Sequence, residues 1–343
     1  MAELPTLIFV PGAWHRPTCY DKIAKLLQER SKLKCVAVAL PSTTGNPAAT
    51  FKDDLDAARE VISRETNDGR DVVVIAHSYG GMVGNSAIKG FARPPPNVAN
   101  NKSSASPLLE ASATSTGGHT GNQSQTRTTG GHVIGLILIA SGFTLTGLSF
   151  MDPFFGRPPP AWRVNKETGF ADIVTPPREL FYHDLPAEEA DYWVSQLVPQ
   201  SLKALFEGGE YSYAGWMDVP AWYIGTVEDR GLPVMAQRLS VGMAREMGAS
   251  VEHRELQTSH SPFLSRPEET AGIVLEAVAA FTGKSVEHAP ITKSGHSSEI
   301  TVPAARLLQP RTWCRFGLPL FVGHILGRCY LIFRWGRGLL GSR

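Results

Sequence analysis

One stretch narrows the folds open to this chain more than any other: Val72-Val73-Val74-Ile75-Ala76-His77-Ser78-Tyr79-Gly80-Gly81. Five apolar residues, four of them β-branched, run almost straight into a serine. A short, wholly apolar run reads as a strand buried on both faces, the condition of strands in a parallel sheet. Residues 80–91, which follow, suit a helix. A strand, a tight turn and a helix with Ser78 at the bend form the context of a nucleophile elbow. The bend strains the backbone at the serine, so the residues two before and two after it must be small; Ala76 and Gly80 are. It also leaves the N–H of Tyr79 at a helix N-terminus, free to face an oxyanion. Taken alone, the same residues equally describe a serine in an ordinary strand-to-helix turn, so the rest of the chain must decide.

The rest of the chain repeats the alternation. Residues 7–10, 34–40, 133–140, 221–226 and 251–256 read as further strands, and 18–30, 53–66 and 268–281 as helices with apolar residues on one face. Strands alternating with helices predict a mostly parallel sheet flanked by helices, an α/β fold. At 343 residues the chain has room for two domains, but an α/β unit of about 250 residues often stands alone. Residues 1–283 are expected to form that unit.

Two segments depart from it. Residues 94–131 are rich in Pro, Asn, Ser, Thr and Gly and poor in large apolar side chains, and are expected to be a disordered insertion. After a polar stretch at 284–299, residues 306–343 carry seven arginines and no acid among many aromatic and aliphatic side chains. This basic, apolar tail is a candidate for peripheral contact with an anionic membrane surface, or a plain extension. Pro319, His324 and Arg328 interrupt it too often for a spanning helix of about 20 apolar residues.

The formal net charge is +1, which gives no reason to expect a nucleic-acid partner. Cys19, Cys35, Cys314 and Cys329 show neither metal-ligand spacing nor a CxxC pair. No metal or cofactor is called for. The first residues lack the pattern of a signal peptide, so a reducing cytoplasmic setting is expected. The oligomeric state is not legible.

Acyl transfer by a serine needs a base, a carboxylate to hold that base, and two N–H donors for the oxyanion. His260, in Thr258-Ser259-His260-Ser261-Pro262, follows the last strand and is the base candidate. His77 adjoins the serine, with its side chain directed elsewhere by the elbow, and the other histidines lie in the insertion, in the tail or without a motif. Asp229 follows the strand at 221–226 by a few residues and is the acid candidate, with its neighbour Glu228 as rival. Val10-Pro11-Gly12-Ala13 ends the first strand at the same edge, and the Ala13 N–H would pair with that of Tyr79.

Together FVPGAWH, AHSYGG, GTVEDRGLP and SHSPFLSRPEE resemble the α/β-hydrolase superfamily, in the branch that holds plant methylesterases, hydroxynitrile lyases and their fungal relatives. The resemblance spans residues 4–283 without the insertion. It implies Ser78 as nucleophile, His260 as base and Asp229 as orienting acid, with Ala13 and Tyr79 as oxyanion donors at Gly12. It favours Asp229 over Glu228. Ala76 stands where the branch usually has glycine, and Pro11 where it usually has histidine. Lyases of the branch typically carry threonine at the place of Gly12 and lysine at that of Ser261, so ester hydrolysis is the expectation. A helical cap is expected at about 143–216, where nearly half the aromatics fall. Such walls suit a small hydrophobic or aromatic ester, thioester or lactone. A lyase or cyclase using the same base, and a non-catalytic binding protein on this fold, remain alternatives.

Overall fold

The apolar runs become strands of one parallel sheet in the computed structural model, which describes residues 4–94 and 130–283. The strands are β1 (Thr6–Val10), β2 (Cys35–Ala37), β3 (Val72–His77), β4 (Val133–Ile139), β8 (Ala221–Thr226) and β9 (Val251–Leu256). They lie in the order β2-β1-β3-β4-β8-β9, and every neighbouring pair is parallel. The interior strands β1 and β3 are buried along their whole length, as continuous apolar runs require. β2 is shorter than the stretch predicted for it.

Helices α1 (Asp21–Ser31), α2 (Phe51–Asn67), α3 (Gly80–Ala87), α7 (Val234–Glu246), α8 (Pro262–Ser265) and α9 (Pro267–Thr282) connect and cover the sheet. α2 begins in a capping box: the Thr50 hydroxyl accepts from the Asp53 N–H, and the Asp53 carboxylate accepts from that of Thr50. α3 ends earlier than predicted, at Ala87.

Between β4 and β8 stands the cap. Its helices are α4 (Pro177–Phe181), α5 (Ala187–Ser195) and α6 (Leu202–Phe206). The sequence reading did not anticipate a second, antiparallel sheet there, β5 (Trp162–Asn165), β6 (Phe170–Ile173) and β7 (Gln200–Ser201). The expected tail at 284–343, and all of the insertion but its ends, lie outside the described residues. No helix among the described residues is long and apolar enough to cross a membrane.

Parallel strands bring their carboxyl ends to one edge, where ligands bind in open α/β sheets. Gly12, Ser78, Ser141, Asp229 and His260 all follow strands at that edge.

Candidate active site

Ser78 sits one residue beyond β3 with φ of 51°, in the left-handed region that a non-glycine residue rarely adopts. Hydrogen bonds hold it there. Its N–H donates to the Ile139 carbonyl (3.1 Å), and its own carbonyl accepts from the Ser141 hydroxyl (2.7 Å). A Cβ on Gly80 would lie 2.4 Å from the carbonyl oxygens of both Val10 and Pro11, so only glycine fits under this bend. The methyl of Ala76 is accommodated by a second glycine: a Cβ on Gly84 would stand 2.8 Å from Ala76 Cβ. The residue that departs from the elbow pattern thus fills space that Gly84 leaves on α3.

His260 and Asp229 meet. His260 Nδ1 lies 2.7 Å from Asp229 Oδ2, and both side chains are almost wholly buried. Nδ1–H donates to the carboxylate, which leaves Nε2 as the basic nitrogen. The Asp229 carboxylate also accepts from the Thr226 hydroxyl, the N–H groups of Gly231 and Leu232 (2.7 Å each) and Gln237 Nε2 (3.2 Å). Burial raises its pKa, but the charge of His260 and these hydrogen bonds more than offset that and hold the carboxyl below its usual range. Glu228 is half-exposed, and among the described residues its carboxylate reaches only His183, at 3.8 Å. The geometry therefore joins His260 to Asp229 and not to Glu228. Among the described residues the Ser78 hydroxyl makes no hydrogen bond to His260. The two share the sheet edge, and the ring of His77, next to the serine, stands 4.6 Å from that of His260.

The turn after β1 presses on the serine. A Cβ on Gly12 would lie 2.9 Å from His77 Nδ1 and 3.0 Å from Ser78 Cβ. The N–H groups of Ala13 and Tyr79 make no hydrogen bond among the described residues. The cap fixes this turn. Trp14 has φ of 62°; its N–H donates to Gln200 Oε1 (3.4 Å), its carbonyl accepts from the Val198 N–H (3.0 Å), and its indole N–H donates to the Ala171 carbonyl (2.9 Å). His15 Nδ1–H donates to the Ala13 carbonyl (2.7 Å), and Nε2 accepts from the Tyr182 hydroxyl (2.8 Å). Burial lowers the His15 pKa to about 4, so its imidazole is neutral.

Three side-chain links were not read from the sequence. His77 Nε2–H donates to the His260 carbonyl (2.9 Å), which ties the elbow strand to the candidate base. Gln237, fully buried on α7, bonds to Asp229 and to three groups of Thr226. The Tyr79 hydroxyl donates to Asp54 (2.7 Å), a buried carboxyl of α2 that also accepts from the Ser42 N–H (2.8 Å). The AHSYGG motif itself marked His77 and Tyr79, though not their partners. Nothing local marks Gln237.

A family profile described as the alpha/beta hydrolase family matches residues 7–273. An "Alpha/beta hydrolase nvfD" of Aspergillus novofumigatus is 25% identical over 286 residues, covering 82% of this chain and 98% of that one. Among solved structures, a pyrethroid hydrolase from Sphingobium faniae superposes with a TM-score of 0.56 at 19% identity, over 81% of this chain and 98% of that one. Polyneuridine aldehyde esterase superposes with a TM-score of 0.55 at 18% identity, over 80% and 99%. At such identities these two structures speak for the fold.

Proposed function

The chain belongs to the alpha/beta hydrolase family, and on that premise we propose that it is a serine esterase acting on a small hydrophobic or aromatic carboxylic ester, thioester or lactone. The observation that carries this reading is the buried His260–Asp229 pair beside a serine held at positive φ. Ser78 attacks the ester carbonyl, and His260 Nε2 takes the hydroxyl proton. The N–H groups of Ala13 and Tyr79 receive the oxyanion. His260 then returns the proton to the leaving alcohol or thiol. Water, activated by the same histidine, releases the acid. Asp229 keeps the imidazole in the Nδ1–H tautomer and stabilises its charged form.

Gly12 supports hydrolysis over cyanohydrin cleavage. The threonine of the lyases would place its Cβ 2.9 Å from His77 Nδ1 on this backbone. Aromatic side chains near the site, such as Phe150 against Tyr79 and Phe181 against His260, favour an apolar substrate.

A fluorophosphonate probe tests the reading. It is expected to label Ser78 in the wild-type protein, to leave Ser78→Ala unlabelled, and to react far more slowly with His260→Ala. Labelling elsewhere, or at an undiminished rate in His260→Ala, refutes it. A series of p-nitrophenyl esters of increasing chain length, run beside aryl methyl esters, then defines the acyl and alcohol groups accepted.

A further inference from the structure

We infer that Asp184 is a positioning residue for the catalytic base: from the cap, its carboxylate fixes the backbone of the loop that carries His260. The inference rests on the esterase reading, in which His260 is that base.

The loop between β9 and α8 is short, residues 257–261, and its central residues are buried: Thr258 and Ser259 are fully covered and His260 is 3% exposed. A buried loop must find partners for its polar groups. Here they come from two sides. On the cap side, Asp184 Oδ2 accepts from the Thr258 hydroxyl (2.7 Å) and the Ser259 N–H (2.9 Å). Three residues upstream, the Phe181 carbonyl accepts from the Ser259 hydroxyl (2.8 Å), and the Phe181 ring lies 5.6 Å from the imidazole of His260. On the sheet side, His77 Nε2–H donates to the His260 carbonyl (2.9 Å), and the Glu228 N–H donates to the Thr258 carbonyl (3.1 Å). The Thr258–Ser259 peptide is thus gripped from both layers, its N–H by the cap and its carbonyl from the sheet side, and the His260 carbonyl is held by the elbow strand.

The cap contacts fall on the two residues immediately before His260. A shift of that backbone moves the imidazole with it, and a displacement of about 1 Å at a reacting group can cost on the order of a hundredfold in rate. A carboxylate suits the task, because hydrogen bonds to an ionised acceptor are shorter and stronger than those to a neutral one. Burial raises the Asp184 pKa, but the bonds from Ser259 and Thr258 outweigh it and keep the carboxyl below its usual range. One oxygen does the holding. Oδ1 is buried and makes no hydrogen bond among the described residues. An asparagine placing its carbonyl oxygen at the Oδ2 position therefore preserves both bonds, while alanine loses both.

The test compares Asp184→Ala, Asp184→Asn and Thr258→Val with wild type. It uses the rate of Ser78 labelling by a fluorophosphonate, and kcat and KM on the p-nitrophenyl ester best turned over. Asp184→Ala is expected to slow labelling and kcat by about 10- to 100-fold, with KM changed by less than about twofold. Asp184→Asn is expected to recover to within about threefold of wild type. Thr258→Val keeps the carboxylate but removes one donor, and is expected to slow both rates by about three- to tenfold; it decides the matter if Asp184→Ala does not fold. Wild-type rates in folded Asp184→Ala or in Thr258→Val overturn the inference, as does an Asp184→Asn no faster than Asp184→Ala. A wild-type protein that is not labelled at Ser78 overturns the esterase reading, and the positioning role falls with it.

Discussion

Ala76 and Gly84 form a complementary pair across the elbow. Large core overlaps are typically relieved by small backbone shifts that cost about 1–3 kcal/mol. Gly84→Ala brings its methyl 2.8 Å from Ala76 Cβ and 3.1 Å from Val74 Cγ1, and is expected to lower stability by about that amount. Adding Ala76→Gly removes the nearer clash, so the double variant is expected to regain most of the loss. A double-mutant cycle on urea midpoints measures the coupling, and strictly additive effects would show that the two do not share that space. The acid at the site makes a second prediction at this scale. Asp229→Asn keeps shape but loses the charge that five donors surround, and kcat is expected to fall roughly 10³- to 10⁴-fold. Glu228→Gln is expected to stay within about threefold of wild type, because its half-exposed carboxylate lies outside that network. A kinetic comparison in which Glu228→Gln is the more damaged variant would assign the role to Glu228.

Among the elements, the long central strands were the most legible. β3, β4 and β8 are continuous or nearly continuous apolar runs because both faces of a parallel sheet are covered; the edge strand β9, mostly polar, is not, yet the structure places all four within a residue of their predicted bounds. The loops that follow them were legible for the same reason: once the strand ends are known, Ser78, Asp229 and His260 fall at one edge. The cap sheet was not. Its strands are two to four residues long, too short for an alternating pattern; β5 and β6 form a local hairpin, and β7 joins them from about 30 residues further along the chain. The supports of the site were hidden likewise. Asp184 and Thr258 are 74 positions apart, and Trp14 and Gln200 186, so no local spacing announces them. Gln237 lies on α7, a helix for which the sequence analysis made no prediction, yet it is the device that docks that helix onto the acid loop. Its amide bonds the Thr226 N–H, carbonyl and hydroxyl as well as Asp229 and the Leu232 carbonyl. Gln237→Leu strands these buried groups, at about 1–3 kcal/mol for an unsatisfied partner. The thermal midpoint is expected to fall, and kcat to fall with it as the Asp229 loop loosens. A variant with lowered stability but full kcat would show that the loop holds its geometry without α7.

The molecule as a whole carries several buried titratable groups, and their signs determine how it meets acid. Burial holds His15 and His253 to a pKa of about 4 and His77 well below its ordinary 6.5. Their folded values are depressed, so the unfolded chain binds protons that the fold refuses. Stability from this source is complete above pH 6.5 and is lost as pH falls toward about 4. Asp54 acts the other way. Burial raises it to about 6, so the folded carboxyl takes its proton first and adds stability as pH falls from there to 3.8. One such group does not offset three histidines. Glu65 then prolongs the loss: burial opposes its ionisation, but bonds from Arg70, Lys34 and Thr6 prevail and hold it to about 2, against an ordinary 4.5. The thermal midpoint is therefore expected to be level between about pH 7 and 8 and to decline from near pH 6.5, well before ordinary carboxylates titrate. His253 isolates the cause. Both its ring nitrogens are buried without a hydrogen bond among the described residues, and nearby Glu255 is already paired with Arg238 through two contacts of 2.7 Å. His253→Leu removes a proton acceptor without stranding a partner, and is expected to flatten the decline between pH 6.5 and 4 by on the order of 2–3 kcal/mol. Calorimetry of both proteins across pH 8 to 3 decides it. A wild-type midpoint that holds level to pH 4.5, or a variant with an unaltered slope, would mean that the buried histidines do not govern acid unfolding.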